Sequence, residues 1–104
     1  MTQAELFQRI KERLQELYGS RFRGLVLYGS AARGNAREDS DIDALCLLEG
    51  PERGNDLWVI TEALYPLQLE VPDRELHVIP VDAAEYEAGD FALFRNARRE
   101  GVLV

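Results

Sequence analysis

Leu25-Val26-Leu27-Tyr28 runs straight into Gly29-Ser30, and ten residues later Asp41-Ile42-Asp43 opens a second apolar run, Ala44 to Leu48. No other feature constrains the fold as much. Both runs are short and apolar throughout, the pattern of strands covered on both faces. The residues after Gly29, Ser30-Ala31-Ala32-Arg33, suit a helical turn, and a polar loop leads from there to the aspartates. Residues i and i+2 of a strand share a face, so Asp41 and Asp43 present two carboxylates side by side.

The rest of the chain supplies helices. Leu6, Ile10, Leu14 and Leu17 recur at helical spacing, with Phe7 and Tyr18 widening the stripe. Thr2-x-x-Glu5 forms a capping box at the start, and Gly19 is placed to stop the helix. Residues 49–54 read as a turn. A second helix is expected from Asn55 to Tyr65, with Leu57, Ile60, Thr61 and Leu64 on its core face and Trp58 beside them, either packed or half-exposed as an interface anchor. Pro66 should end it, leaving Leu67 to Val71 as a short extended piece. Leu76 to Val81 reads as a third strand, which Pro80 places at an edge or a strand end. Asp82 caps a helix to about Glu87. Gly89-Asp90 breaks it, and a last helix runs to Gly101, followed by an apolar tail, Val102-Leu103-Val104. The pattern indicates a single α/β (α+β) domain over residues 1–104, a small mixed sheet flanked by helices.

Composition narrows the function. The net charge of −7 argues against a broad grip on nucleic acid, which needs a basic surface. Cys46 is the only cysteine, so an intrachain disulfide is excluded, and its apolar neighbours point to a buried, unreactive thiol. The apolar runs fall far short of the ~20 residues that cross a bilayer. The N-terminus lacks a signal-peptide core, so a cytoplasmic location is expected, with no membrane contact.

The two halves of the opening pattern make one chemical proposition. Adjacent carboxylates repel unless a cation lies between them, and Mg²⁺ is commonly held by one or two carboxylates plus substrate phosphates. Glycine at the end of a strand lets a phosphate approach the backbone. A helix N-terminus offers free N–H groups to an anion, and Ser30 adds a hydroxyl. Together they describe a site for a metal-bound nucleoside triphosphate.

Gly29-Ser30, ten residues and Asp41-Ile42-Asp43 resemble the signature of the DNA polymerase β nucleotidyltransferase superfamily, and in particular its minimal nucleotidyltransferases. Ala32-Arg33-Gly34 and Ser40 also match the family's wording. The resemblance implies a polymerase β-like palm fold and a two-metal, Mg²⁺-dependent transfer of a nucleoside monophosphate, AMP from ATP, to a hydroxyl. On that reading Gly29, Ser30, Arg33 and Ser40 bind the nucleotide, while Asp41 and Asp43 hold metal. The family draws a third carboxylate from the next strand. Here that strand begins Arg74-Glu75-Leu76-His77 and has no Asp in its middle. Glu75 and His77 share a face by parity. Glu75 is the candidate for both the metal and the catalytic role, with His77 the alternative if the register shifts by two. Glu70 and Asp82 flank this region and fit the role less well.

Minimal nucleotidyltransferases are typically paired with small helical HEPN proteins. The resemblance therefore also implies an antitoxin that modifies a tyrosine of a HEPN toxin. The alternative is an antitoxin that acts by contact alone, its nucleotide site degenerate. An antibiotic-modifying enzyme is disfavoured, because no second domain is present to hold a drug. Arg33 has a phosphate to contact on this reading, whereas Arg37 reads as solvated. Arg95, Arg98 and Arg99 share one side of the last helix, as a partner contact or as charges complementing the helix C-terminus.

Overall fold

The computed structural model describes residues 1–28, 41–51, 53–89 and 92–104, apart from the side chains of Leu93, Arg98, Glu100 and Val102. Helix α1 spans Gln3–Tyr18, and a 3-10 turn over Gly19–Arg21 leads into strand β1, Phe22–Tyr28. Strand β2 is Ile42–Leu48, followed by helix α2, Asp56–Glu70, and strand β3, Leu76–Asp82. Helix α3, Ala83–Ala88, helix α4, Ala92–Glu100, and strand β4, Val102–Leu103, complete the chain.

The four strands form one mixed sheet in the order β3-β2-β1-β4. β1 pairs antiparallel with β2 and β4, and β2 pairs parallel with β3. Alternation along the strands divides the core into two layers. Leu25, Leu27, Ile42, Ala44, Cys46, Leu48 and Val78 pack with Leu6, Ile10 and Leu14 of α1 and with Ile60, Leu64 and Leu67 of α2. Val26, Leu45, Leu47 and Val81 face the other way, towards Tyr86 of α3 and Ala97 of α4. Helices on both faces are what the continuous apolar strands require.

The expected boundaries of α1 hold. The Thr2 hydroxyl accepts from the Glu5 N–H at 3.1 Å and donates to the Glu5 carboxylate at 3.0 Å. Gly19, at φ 57°, ends the helix in a conformation that suits glycine. Leu17 leaves the expected stripe and is exposed, while Tyr18 packs partly against the core.

Three expectations fail. Pro66 lies inside α2, which continues to Glu70, so Leu67 to Val71 is not an extended piece. The proline removes one helical hydrogen bond, but the last turn buries Leu67 to 2 % exposure, and that packing carries the helix through. The core face also differs. It is drawn by Asp56, Ile60, Leu64 and Leu67, whereas Leu57, Thr61 and Trp58 are exposed. The tail, finally, is a strand. Val26 pairs with Leu103 and Leu27 with Val102, and the Val104 N–H donates to the Leu25 carbonyl at 2.9 Å. Glycine makes that docking possible. A Cβ on Gly101 would collide with the Ala97 carbonyl and lie 2.8 Å from the Val26 side chain.

A buried polar knot ties α1, β1, β2 and α2 together at one end of the sheet. The Asp56 carboxylate, almost fully buried, accepts from the Tyr18 hydroxyl at 3.1 Å and from the Arg53 N–H at 2.7 Å. Arg21 donates to both of its oxygens, each at 3.2 Å, and also to the Glu49 and Pro51 carbonyls. Burial pushes the Asp56 carboxyl up. The Arg21 guanidinium, the Arg53 N–H and the Tyr18 hydroxyl together outweigh it and hold the group below its usual value. Tyr18 is pushed well above the usual phenol value by burial and by its bond to Asp56.

Candidate metal and nucleotide site

The carboxylates lie where β2 and β3 begin, and local hydrogen bonds fix their register. α2 must run its full length for this, because Gln68 sits in its last turn. The Gln68 amide donates to the Val71 and Arg74 carbonyls, and its oxygen accepts from the Leu76 N–H at 2.9 Å. One side chain thus satisfies the backbone of the loop that delivers Glu75. The Ile42 N–H then donates to the Glu75 carbonyl at 2.9 Å, and the Glu75 N–H donates to the Asp41 carboxylate at 3.3 Å.

Asp41, Glu75 and His77 come together at this junction. One ligand atom from each lies within 4.8 Å of the others. All three are exposed, so bulk water and a diffusing ligand can reach them. Asp43 is half-buried and lies outside this trio, directly opposite His77 in the parallel ladder and opposite Tyr28 in the antiparallel one. Parity puts all of these side chains on one face of the sheet. Glu75 and His77, read from sequence as alternatives, are therefore neighbours in one cluster.

The electrostatics follow from the crowding. The His77 ring and the Glu75 carboxylate are 2.7 Å apart. That hydrogen bond is the main cause that raises the His77 pKa above its ordinary value. Partial burial works against it, and the charges of Asp43, Glu75 and Asp41 add to it. Tyr28 is raised by burial and by the adjacent Asp43 charge.

The donor set fits a divalent cation. Carboxylates from two strands, open to solvent and to substrate phosphates, match the way Mg²⁺ is usually held. The flanking acids are engaged elsewhere. Glu70 forms a two-point ion pair with Arg9 at 2.9 Å and 3.0 Å, and Asp82 caps α3 by accepting from the Ala84 N–H at 2.9 Å. Gly29, Ser30, Arg33 and Ser40, the residues expected to bind the nucleotide, and Arg37 lie outside the described residues, as does the helical turn expected after Ser30.

The family model described as "Nucleotidyltransferase domain" matches residues 7–100. The chain belongs to this family. Solved structures agree in fold. A toxin–antitoxin complex with AMP-PNP superimposes with a TM-score of 0.63 at 16% identity, over 98% of this chain and 72% of that one. A mutant of the toxin–antitoxin pair MntA-HpeT gives 0.61 at 14% identity, over 99% and 72%. A Sulfolobus solfataricus protein assigned as a nucleotidyltransferase gives 0.58 at 20% identity, over 97% and 80%. No curated protein matches the chain.

Other surfaces differ from this site. A groove of about 570 Å³ lies on the same sheet face at the far ends of β2 and β3, lined by Val26, Leu47, Asp82, Tyr86 and Leu103 among others. It holds none of the carboxylates at the β2–β3 junction. On α2, Trp58, Tyr65 and Leu69 are each more than half exposed. Their spacings of seven and four align them opposite the buried face. Those spacings are present in the sequence, beside the more conspicuous aliphatic stripe of Ile60 and Leu64. Arg95, expected on a charged face, donates to the Gly89 carbonyl at 2.9 Å and so helps fasten α4 to the end of α3. Among the described residues, no helix is long and apolar enough to cross a membrane.

Proposed function

We propose that this chain is a metal-dependent nucleotidyltransferase that moves a nucleoside monophosphate, AMP from ATP, onto a hydroxyl. The observation that carries the reading is the meeting of Asp41 with Glu75 across the β2–β3 junction, with Asp43 on the same face. Family membership supports the reaction class. The AMP-PNP in a structural neighbour supports an adenine nucleotide.

Asp41, Asp43 and Glu75 are assigned to hold the metal, and Gly29, Ser30, Arg33 and Ser40 to bind the triphosphate. Two bound Mg²⁺ ions would stabilise both the attacking and the leaving oxygens of an in-line displacement. The chain's own contribution is positional. The Glu75 N–H orients the Asp41 carboxylate, and the β2–β3 register sets Asp43 against His77. In the transfer the acceptor hydroxyl gives its proton to a carboxylate of the site, its oxygen bonds the α-phosphorus, and the bond to pyrophosphate breaks, pyrophosphate leaving with the electron pair.

The biological role proposed is that of an antitoxin whose acceptor is a tyrosine of a HEPN-type toxin. Two toxin–antitoxin structures among the neighbours support it, as does the exposed Trp58, Tyr65 and Leu69 face, since contiguous apolar surface of this kind often marks a protein contact. That same face favours a second reading, neutralisation by contact alone. The test is to incubate the chain with a HEPN-type toxin, α-labelled ATP and Mg²⁺. Label should pass to the partner from wild type and not from Asp41→Asn/Asp43→Asn. If that variant neutralises the partner as well as wild type does, contact is the mechanism and catalysis is not.

A further inference from the structure

We propose that His77 is a direct ligand of the cation held by Asp41 and Glu75, and that the site accordingly prefers first-row transition dications, Mn²⁺ among them, over Mg²⁺. The inference rests on the metal-binding reading of this cluster and says which metal the cluster selects.

Three observations lead to it. The imidazole belongs to the trio whose ligand atoms lie within 4.8 Å of one another, whereas Asp43 does not. Ligands about 2.1 Å from an octahedral cation sit roughly 3 Å apart when adjacent and about 4.2 Å apart when opposite. His77 and Glu75 already meet at 2.7 Å, and Asp41, whose ligand atom lies within 4.8 Å of both, is brought to an ion by rotation of exposed side chains. Finally, β2 and β3 are in parallel register with Asp43 opposite His77, so the ring projects from the face and rung that carry the acids rather than towards open solvent beyond them.

Ligand chemistry then decides the metal. Mg²⁺ favours oxygen donors and gains little from a nitrogen ligand, whereas imidazole suits the first-row transition ions. A set of two carboxylates and one imidazole keeps the oxygens Mn²⁺ likes and adds a nitrogen that Mg²⁺ uses poorly. Affinities along the first row should rise from Mn²⁺ to Co²⁺ by the usual order, with Mg²⁺ below both.

The experiment titrates the whole chain with Mn²⁺ alone and Mg²⁺ alone by calorimetry, then repeats both titrations with AMP-PNP. The nitrogen hyperfine coupling of bound Mn²⁺ is recorded by pulsed electron paramagnetic resonance. Wild type, His77→Gln and Asp41→Asn are compared, with far-ultraviolet circular dichroism confirming that each is folded. Wild type should bind Mn²⁺ roughly tenfold more tightly than Mg²⁺ and show imidazole coupling. His77→Gln should lose the coupling and most of that preference while keeping its Mg²⁺ affinity within about threefold. Asp41→Asn should weaken both metals. Bound Mn²⁺ without nitrogen coupling, or an unchanged Mn²⁺/Mg²⁺ ratio in His77→Gln, overturns the inference and leaves the proposed transferase intact. Failure of wild type to bind either metal, with or without AMP-PNP, overturns both.

Discussion

Asp56→Ala removes a single carboxylate and leaves the Tyr18 hydroxyl, the Arg53 N–H and the Arg21 guanidinium without their shared acceptor. Breaking a buried ion pair from one side costs about 3–5 kcal/mol, because the other charge remains buried. Arg21 keeps two carbonyl acceptors and its side chain is 16% exposed, which points to the lower end of that range. Tyr18 is only half-buried and Arg53 is exposed, so water can replace part of what they lose. The expected total is about 3–4 kcal/mol, against a whole-domain stability on the order of 5–15 kcal/mol. With a urea slope of about 1.5 kcal/mol/M, the unfolding midpoint should fall by roughly 2 M. A fall below about 0.5 M at unchanged slope would refute the account of the knot. Replacing both ends with apolar side chains, Arg21→Met/Asp56→Leu, should cost less than Asp56→Ala alone. The pH dependence has a definite sign. The Asp56 pKa is lower in the folded chain than in the unfolded one, so acid favours the unfolded chain. The contribution is complete above the unfolded value of about 4 and is lost as pH falls through the folded value. Asp56→Asn should remove that part of the acid sensitivity.

Three further outcomes follow from other parts of the fold. Pro66→Ala should stabilise the protein by about 1–2 kcal/mol in a thermal or urea melt, since it restores a helical hydrogen bond at an exposed position; a loss of stability would show that the proline shapes α2. Cys46 is fully buried, and burial pushes its thiol up to about 12, so a disulfide reagent should label it only as fast as the chain unfolds. Without metal, nuclear magnetic resonance should give His77 a pKa above 6.5, and Glu75→Gln should lower it. The stabilisation from that pair is present below the unfolded value and fades as pH rises through the folded one.

The sequence made the strands legible because their signal is local: β2 and β3 needed only apolar runs and a bounding turn. The caps were equally readable, since Thr2 and Asp82 act within a few residues of themselves. What escaped were features decided at a distance. Pro66 is helical because Leu67 finds a core contributed by α1 and the sheet. Val102-Leu103 becomes a strand only because β1 offers an edge with room beside Gly24 and Gly101. Asp56 reads as an ordinary first-turn acid until Arg21, Tyr18 and the Arg53 N–H converge on it. In the candidate site, parity alone aligned Glu75 with His77. That both meet Asp41 depended on the β2–β3 register, which Gln68 and the Ile42 to Glu75 bond set from outside the motif.

The two margins of the sheet carry a further meaning. β3 forms one border and includes Pro80, which has no N–H to offer a neighbour, and β4 forms the other with only two residues. At the β3 border a visiting strand would lose the main-chain donor that Pro80 lacks, which hinders the edge-to-edge addition by which exposed sheets polymerise. The exposed side chains of α2, Trp58, Tyr65 and Leu69, lie on a helix and can be substituted without disturbing that border.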